Sequence, residues 1–151
     1  MAYSTILAKI KTLLLAVTGV GTKVYDFEQC DVGDWNNYLT LFKEGSLIKG
    51  WEITRTGAPE VEDSPSANLR THQIVIRGYY SLNNASASEK TFQDLIEAIC
   101  TAFRAKAPDL EGTAFMLAAP SVSVIENRMF GEVLCHFCEI RLDVTEHIQW
   151  R

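Results

Sequence analysis

Leu69 to Tyr80 reads LRTHQIVIRGYY, a stretch whose side chains alternate between the two sides of an extended chain. One side would carry His72, Ile74, Ile76 and Gly78, and the other Gln73, Val75, Arg77 and Tyr79. This period of two is typical of a β-strand. An amphipathic helix and a second alternating strand follow along the chain, and this order predicts helices packed on a sheet.

The helix is predicted to run from about Ser88 to Ala107, and Pro108 ends it. Its apolar stripe consists of Phe92, Leu95, Ile96, Ile99, Cys100 and Phe103. Ser86-Ala87-Ser88-Glu89 fits a capping box at its start. Burying six such side chains is worth roughly 10 kcal/mol gross, so we expect this helix to dock on the sheet.

A first helix is indicated by apolar residues spaced along one helical face, with Ser4 as a candidate N-cap and Gly19 as its terminator. Further short strands are predicted at 23–27, 47–55 and 121–126, a short helix after Asp34 and a turn at 127–130. The final strand is predicted at about Gly131 to Glu146. We expect one α+β domain spanning residues 1–151, with a mainly antiparallel sheet of four to five strands and two main helices on one face.

Ala58 to Asn68 is predicted to be a loop at the tip of a long β-hairpin. It contains two prolines, small polar residues and three acids, Glu60, Glu62 and Asp63, without a basic residue. This composition disfavours regular structure and core contacts. A loop of this length between two strands is expected to be mobile or to bind something.

The overall composition sets limits on function. The chain has 151 residues, 47% hydrophobic and 22% charged, with a net charge of −5. Nucleic-acid binding as a main activity is disfavoured, because phosphate contacts require clustered Lys and Arg. Since no apolar run approaches the length of a membrane span and no signal-like segment precedes the first helix, we expect a soluble intracellular protein without a membrane partner.

The only metal-like motif is Cys135-His136-Phe137-Cys138. In an alternating strand this spacing sends the two sulfurs to opposite faces, and the second ligand pair that zinc needs is missing. Cys100 and Cys138 are interpreted as small buried side chains, and His136 as a hydrogen-bonded core or interface residue. No nucleophile or base accompanies the histidines, so we expect no enzymatic activity, no metal and no cofactor.

Two strand faces mix aromatic side chains with charges of both signs. If the helices cover the opposite side of the sheet, this face would expose a sizeable apolar area. Aromatic residues and Arg are enriched at protein interfaces, which favours a subunit interface over an ordinary solvated sheet face. The candidate interface residues are Val75, Arg77, Tyr79, Phe137, Glu139 and Arg141.

Three segments carry a resemblance to a known family: LIKGWEITR at 47–55, HQIVIRGYY at 72–80, and the final strand after Phe130-Gly131. In these segments and in the order of its elements, the chain resembles the tail terminator (tail completion) proteins of long-tailed bacteriophages and prophages. The resemblance implies an α/β fold with a mainly antiparallel sheet flanked by helices. It further implies a hexameric ring of copies that caps the tail tube, ends its polymerisation and presents a surface for head attachment. It also implies location in the virion tail, with the host cytoplasm as the place of assembly.

The implied partners are further copies of the chain, the tail-tube protein and a head-completion or neck protein, while DNA passes without specific binding. The acidic residues of the 58–68 segment would then meet the tube or line the channel, where negative charge would repel passing DNA. A head–tail connector or neck protein is the alternative within virion assembly. The alternative from another class is a small-molecule-binding α+β domain, which would need a pocket with converging polar groups.

Overall fold

The computed structural model describes residues 3–29, 39–106, 110, 116–130 and 133–150. The helices are α1 (Tyr3–Leu15) and α2 (Ser88–Arg104), and a 3-10 turn (Asn84–Ser86) precedes α2. The strands are β1 (Lys23–Tyr25), β2 (Lys43–Glu44), β3 (Leu47–Gly57), β4 (Glu60–Ser64), β5 (Ala67–Ser81), β6 (Met116–Leu117), β7 (Ser121–Phe130) and β8 (Val133–Gln149).

The strands form one sheet in the order β1-β3-β5-β8-β6, with β2 beside β3, β4 beside β5 and β7 beside β8. Only the β1–β3 pair is parallel among the described strands. At the centre, β5 pairs with β8 from Ala67↔Gln149 to Ser81↔Cys135. The predicted α+β class and mainly antiparallel sheet are confirmed. The described part of the sheet has eight strands against the four to five predicted, because β1, β2 and β6 have only two or three residues each and β4 lies in a segment expected to be a loop.

Both helices pack on one face of the sheet, which we call the first face, as predicted. Their apolar stripes meet the alternating strand residues in a single core around Trp51, which is completely buried. The indole Nε1–H of Trp51 donates to the carbonyl of Val20 at 3.2 Å. Gly78 lies opposite Trp51 in the β3–β5 register, and its missing side chain makes room for the indole ring.

The opposite face, here called the second face, carries a smaller apolar core of its own. Phe42 lies at the centre of this cluster, 5.1 Å from the ring of Tyr79 and 5.4 Å from that of Phe130. The cluster consists of Leu39, Phe42, Ile48, Tyr79, Phe130, Cys135 and Phe137. The short β2–β3 hairpin and the residues before it therefore cover one end of the second face.

Several predicted boundaries are wrong. Ser86 belongs to the 3-10 turn, and Ala87, with φ of 53°, takes the N-cap position of α2 without a side-chain bond, so the capping box does not form. Ser4 lies inside α1. Residues 127–130 continue β7 instead of forming a turn. Residues 39–41 are helical, but the remainder of the short helix predicted after Asp34 falls outside the described residues.

No helix in the described part of the chain is both long enough and apolar enough to cross a membrane.

Candidate functional site

A serine, a histidine and an asparagine form a hydrogen-bonded chain where β7 and β8 meet the start of α2. His136 Nε2 lies 2.8 Å from Ser88 Oγ, and His136 Nδ1 lies 2.9 Å from Asn127 Oδ1. Because the amide oxygen only accepts, Nδ1 carries the proton and Nε2 accepts from the serine hydroxyl. Burial lowers the pKa of His136, which keeps the ring neutral.

The serine, histidine and asparagine are hydrogen-bonded in the same sequence as the residues of a hydrolase triad, but the serine is not accessible to a substrate. Ser88 is 4% exposed, and its Oγ already accepts the backbone N–H of Asn83 at 2.7 Å. The imidazole also stacks on Phe92, with ring centroids 5.7 Å apart. A nucleophile must reach its substrate, so these contacts describe a structural link between the sheet and α2. The prediction that His136 is a hydrogen-bonded core histidine is confirmed.

Two partners of His136 were missed in the sequence. The sequence predicts a turn at Asn127, although this residue lies directly opposite His136 in the β7–β8 register. The sequence indicates only a capping role for Ser88. The available signal was the alternation of Ile125, Asn127 and Met129, which extends β7 and places Asn127 on the same face as His136.

The second face carries a row of charges across three neighbouring strands. Glu52, Arg77 and Glu139 are register partners on β3, β5 and β8. Arg77 lies 3.8 Å from Glu139 and 3.6 Å from Glu28. Glu52 is 2% exposed and accepts the backbone N–H of Gln29 at 3.1 Å. Burial raises the pKa of Glu52, and the nearby Arg77 opposes that shift.

The six candidate interface residues therefore separate into two groups. The expectation of a large exposed apolar area is wrong for Val75, Tyr79 and Phe137, which are 1%, 7% and 1% exposed. Tyr79 and Phe137 belong to the second-face core, and Arg128 stacks over the Phe137 ring at 3.7 Å. Arg77 and Glu139 are half-buried, and Arg141 is exposed. A role in subunit contacts remains a prediction for these three charged residues.

The acidic segment is largely a strand, and its prediction as a loop is wrong. β4 pairs with β5, and only Pro65 and Ser66 form the turn between Ser64 and Ala67. The position of the segment at the tip of a hairpin is confirmed. Basic partners come from neighbouring strands: Arg70 Nε donates to Glu60 at 2.7 Å, and His147 Nε2 lies 3.0 Å from Asp63.

A second polar group is buried where this hairpin joins the body of the protein. His72 and Glu146 are 1% and 5% exposed, with His72 Nε2 3.4 Å from a carboxylate oxygen of Glu146. Arg55 Nη1 donates to His72 Nδ1 at 3.2 Å, and Arg70 lies 4.0 Å from Glu146. Burial lowers the pKa of His72. We interpret these contacts as a polar cluster that anchors the hairpin to the body of the protein, with Arg70 close to the buried carboxylate of Glu146.

The cysteines behave as the strand pattern predicts. Cys138 is buried in the first-face core and Cys135 in the second-face cluster, so their sulfurs lie on opposite sides of the sheet. Cys100 is buried on α2, and all three are free. Burial raises the pKa of Cys135 to about 11 and that of Cys138 to about 12. In the described ranges no three His, Cys, Asp or Glu side chains are arranged to hold a metal ion.

An apolar groove of about 600 Å³ lies between α1 and α2. Its lining is formed by Thr12, Leu13, Ala16, Val17, Ala98, Thr101, Ala102, Ala105 and Lys106. A small-molecule site needs several polar groups that converge on the ligand. The two threonines and one lysine in the lining do not provide such a set.

Exposed apolar side chains concentrate at the two ends of β8. At one end is the β4–β5 arm, formed by residues 60–70 with 146–149 of β8 and the following Trp150, where Val61 is 67% and Trp150 51% exposed. At the other is the β7–β8 arm, residues 124–130 and 133–137. It exposes Ile125, Met129, Val133 and Leu134. The arms hold six of the nine large apolar side chains that are exposed in the described residues.

No protein-family model matches the chain, and no curated protein matches its sequence.

Proposed function

We propose that this chain is a tail terminator subunit of a long-tailed phage or prophage, which joins further copies in a ring on the tail tube, ends tube growth and forms the head-attachment surface. The observation that carries the proposal is the pair of arms. β8 has 17 residues and spans about 50 Å at ~3.3 Å per residue, so its two apolar ends are far apart. A subunit with contact surfaces at opposite ends can bind two neighbours at once.

A closed ring requires a head-to-tail contact between different surfaces of each copy. The arms differ in charge and shape, as such a contact requires. The β4–β5 arm carries Glu60, Glu62 and Asp63, with Glu60 and Asp63 held by Arg70 and His147. Glu62 is exposed on the same strand. An acidic tip of this kind suits a surface beside passing DNA, because like charge keeps the DNA mobile.

A binding role is also favoured by the interior of the chain. The triad-like side chains are closed off from solvent, and Arg77 on the second face already has Glu28 and Glu139 as ion-pair partners. The groove between α1 and α2 lacks converging polar groups. Each of these features stabilises the fold, which leaves the arms as the surfaces most suited to partners.

The proposal is tested with tail tubes assembled from the tube protein of the same genome. Electron microscopy of tubes mixed with the purified chain should show a ring at one end, and added tube protein should no longer lengthen capped tubes. Glu62→Lys should weaken capping while leaving the melting temperature nearly unchanged, because Glu62 is exposed at the arm tip.

Glu97→Lys is the matched control, since it makes the same charge reversal on the exposed side of α2. It should cap tubes as well as the unmodified chain. Tubes that continue to grow in the presence of the folded chain would refute the proposal. Binding to portal or head proteins, with no binding to tubes, would favour the neck protein instead.

A further inference from the structure

The outer edge of β7 provides a second kind of contact. β7 pairs with β8 along one side, and no strand among the described residues pairs with its other side. An open strand edge presents unpaired backbone N–H and C=O groups to another chain. We infer that β7 pairs, antiparallel and about a two-fold axis, with β7 of a second copy.

Natural edges are commonly protected by Pro, a bulge or charged side chains, above all Lys. β7 reads SVSVIENRMF and contains neither Pro nor Lys. A register shift between Val122 and Val124 disturbs its first part. From Val124 to Phe130 the pairing with β8 is regular, so these seven residues form an ordered edge available to a partner.

The sequence of this edge complements itself. Antiparallel pairing centred on Asn127 places Glu126 of one copy opposite Arg128 of the other, and the reverse. Glu126 and Arg128 already share a face within one chain, where Arg128 Nε donates to Glu126 at 2.9 Å. The two-fold arrangement would therefore unite two acids and two bases in one alternating cluster. Opposite charges directly across a sheet stabilise pairing, and like charges destabilise it.

The apolar side chains follow the same symmetry. In this register Ile125 lies opposite Met129 of the second copy, on the face that also carries Leu134, the partner of Met129 in β8. Ile125, Met129 and Leu134 are 44%, 57% and 46% exposed in one copy. Pairing would bring both sets together into a continuous apolar patch beside the charged cluster. This match of charge and apolar residues identifies a second copy as the occupant.

The contact differs in symmetry from the ring contact proposed above, although both use exposed apolar residues of the β7–β8 arm. A two-fold contact uses the same surface on both copies and closes with two chains. It requires no tail tube and is measurable with the purified chain. Failure of tube capping would leave this pairing intact, and absence of the pairing would leave tube capping untouched.

Sedimentation equilibrium over a range of concentrations tests the pairing. The unmodified chain should show a monomer–dimer equilibrium. Glu126→Arg turns both opposite-charge pairs into Arg–Arg pairs and should weaken dimerisation about tenfold or more. The double change Glu126→Arg with Arg128→Glu restores opposite charges across the axis and should recover most of the affinity.

Ile125→Lys places a protective charge on the edge and should also give monomer. Val61→Lys is its matched control, since Val61 is exposed on the other arm. It should leave dimerisation unchanged. Circular dichroism establishes that each variant is folded. The two single changes, Glu126→Arg and Ile125→Lys, decide the question, since both retain Arg128, which stacks on Phe137. A chain that stays monomeric, or a dimer unaffected by both changes, would overturn the inference.

Discussion

Gly78→Ala is expected to destabilise the protein through one specific clash in the first-face core. A Cβ at this position would lie closer than 3.0 Å to three atoms of the six-membered ring of Trp51. The indole cannot move away easily, because it is completely buried, its Nε1–H donates to Val20, and Phe92 packs 6.2 Å from it. The added methyl must therefore displace the backbone of β5 or the ring.

Overpacking of a well-filled core costs about 1–3 kcal/mol, and a fixed indole ring places this substitution near the upper end. A loss of about 3 kcal/mol is a large part of the 5–15 kcal/mol that stabilises a typical domain. It should lower the urea midpoint by about 1.5 M at a slope of ~2 kcal/mol per molar. Urea unfolding followed by tryptophan fluorescence and by circular dichroism measures this change.

Trp51→Phe provides the control, because it removes the ring atoms that the new methyl would meet. In that background Gly78→Ala should cost less than about 1 kcal/mol, giving a coupling free energy of about 2 kcal/mol in a double-mutant cycle. Trp51→Phe is itself destabilising through lost packing, so the comparison is made within each background. An equal cost of Gly78→Ala in both backgrounds would refute the proposed clash.

Two further predictions concern buried titratable groups. Burial lowers the pKa of His136 below its ordinary value of 6.5, so its stabilising effect is complete above pH 6.5 and is lost as the pH falls through the folded-state pKa. Between pH 7.5 and 5.5, thermal melts of His136→Asn should therefore lose less stability than those of the unmodified chain, by at most about 1 kcal/mol, because only the pH unit below 6.5 contributes in this range; parallel pH profiles would contradict this. The raised pKa of Glu52 makes the folded state more stable as the pH falls. Both proteins contain Glu52, so this effect cancels when their pH profiles are compared. A Cys30→Ser variant removes the thiol that lies outside the described residues. In this variant at pH 8, Cys135 and Cys138 should react with Ellman's reagent at least ~100-fold more slowly in the folded protein than in denaturant, since burial raises their pKa to about 11 and about 12. Rapid reaction of the folded protein would contradict their burial.

Alternation and helical spacing predicted the parts of the fold that depend on one apolar face. β5, β8, α1 and α2 each bury a regular stripe, so their type and mutual packing could be read directly. The errors lie where contacts across the sheet override local composition. Residues 60–64 form a strand despite three acids and nearby prolines, because they pair with β5, where Arg70 donates to Glu60, and because His147 on β8 lies within hydrogen-bond distance of Asp63.

The candidate interface was predicted less well, for a related reason. A strand pattern shows which residues share a face but not what covers that face. Val75, Tyr79 and Phe137 share the second face as predicted, yet they are buried within one copy. The packing of Phe42 against Tyr79 joins segments 37 residues apart, and no local pattern specifies it. The groups around His136 were missed for the same reason.

Burial on both faces of the central sheet changes where partners can bind. Arg77 has Glu28, Glu52 and Glu139 around it, so reversing its charge would add a fourth carboxylate to a partly buried group and report on folding. Arg141 is exposed and would report on assembly more directly. The backbone N–H and C=O groups at an open strand edge need hydrogen-bond partners, which side-chain packing inside the protein does not supply. The ends and outer edge of the sheet therefore have the strongest tendency to bind another chain. That physical tendency, more than the composition of any face, favours contacts through the two arms.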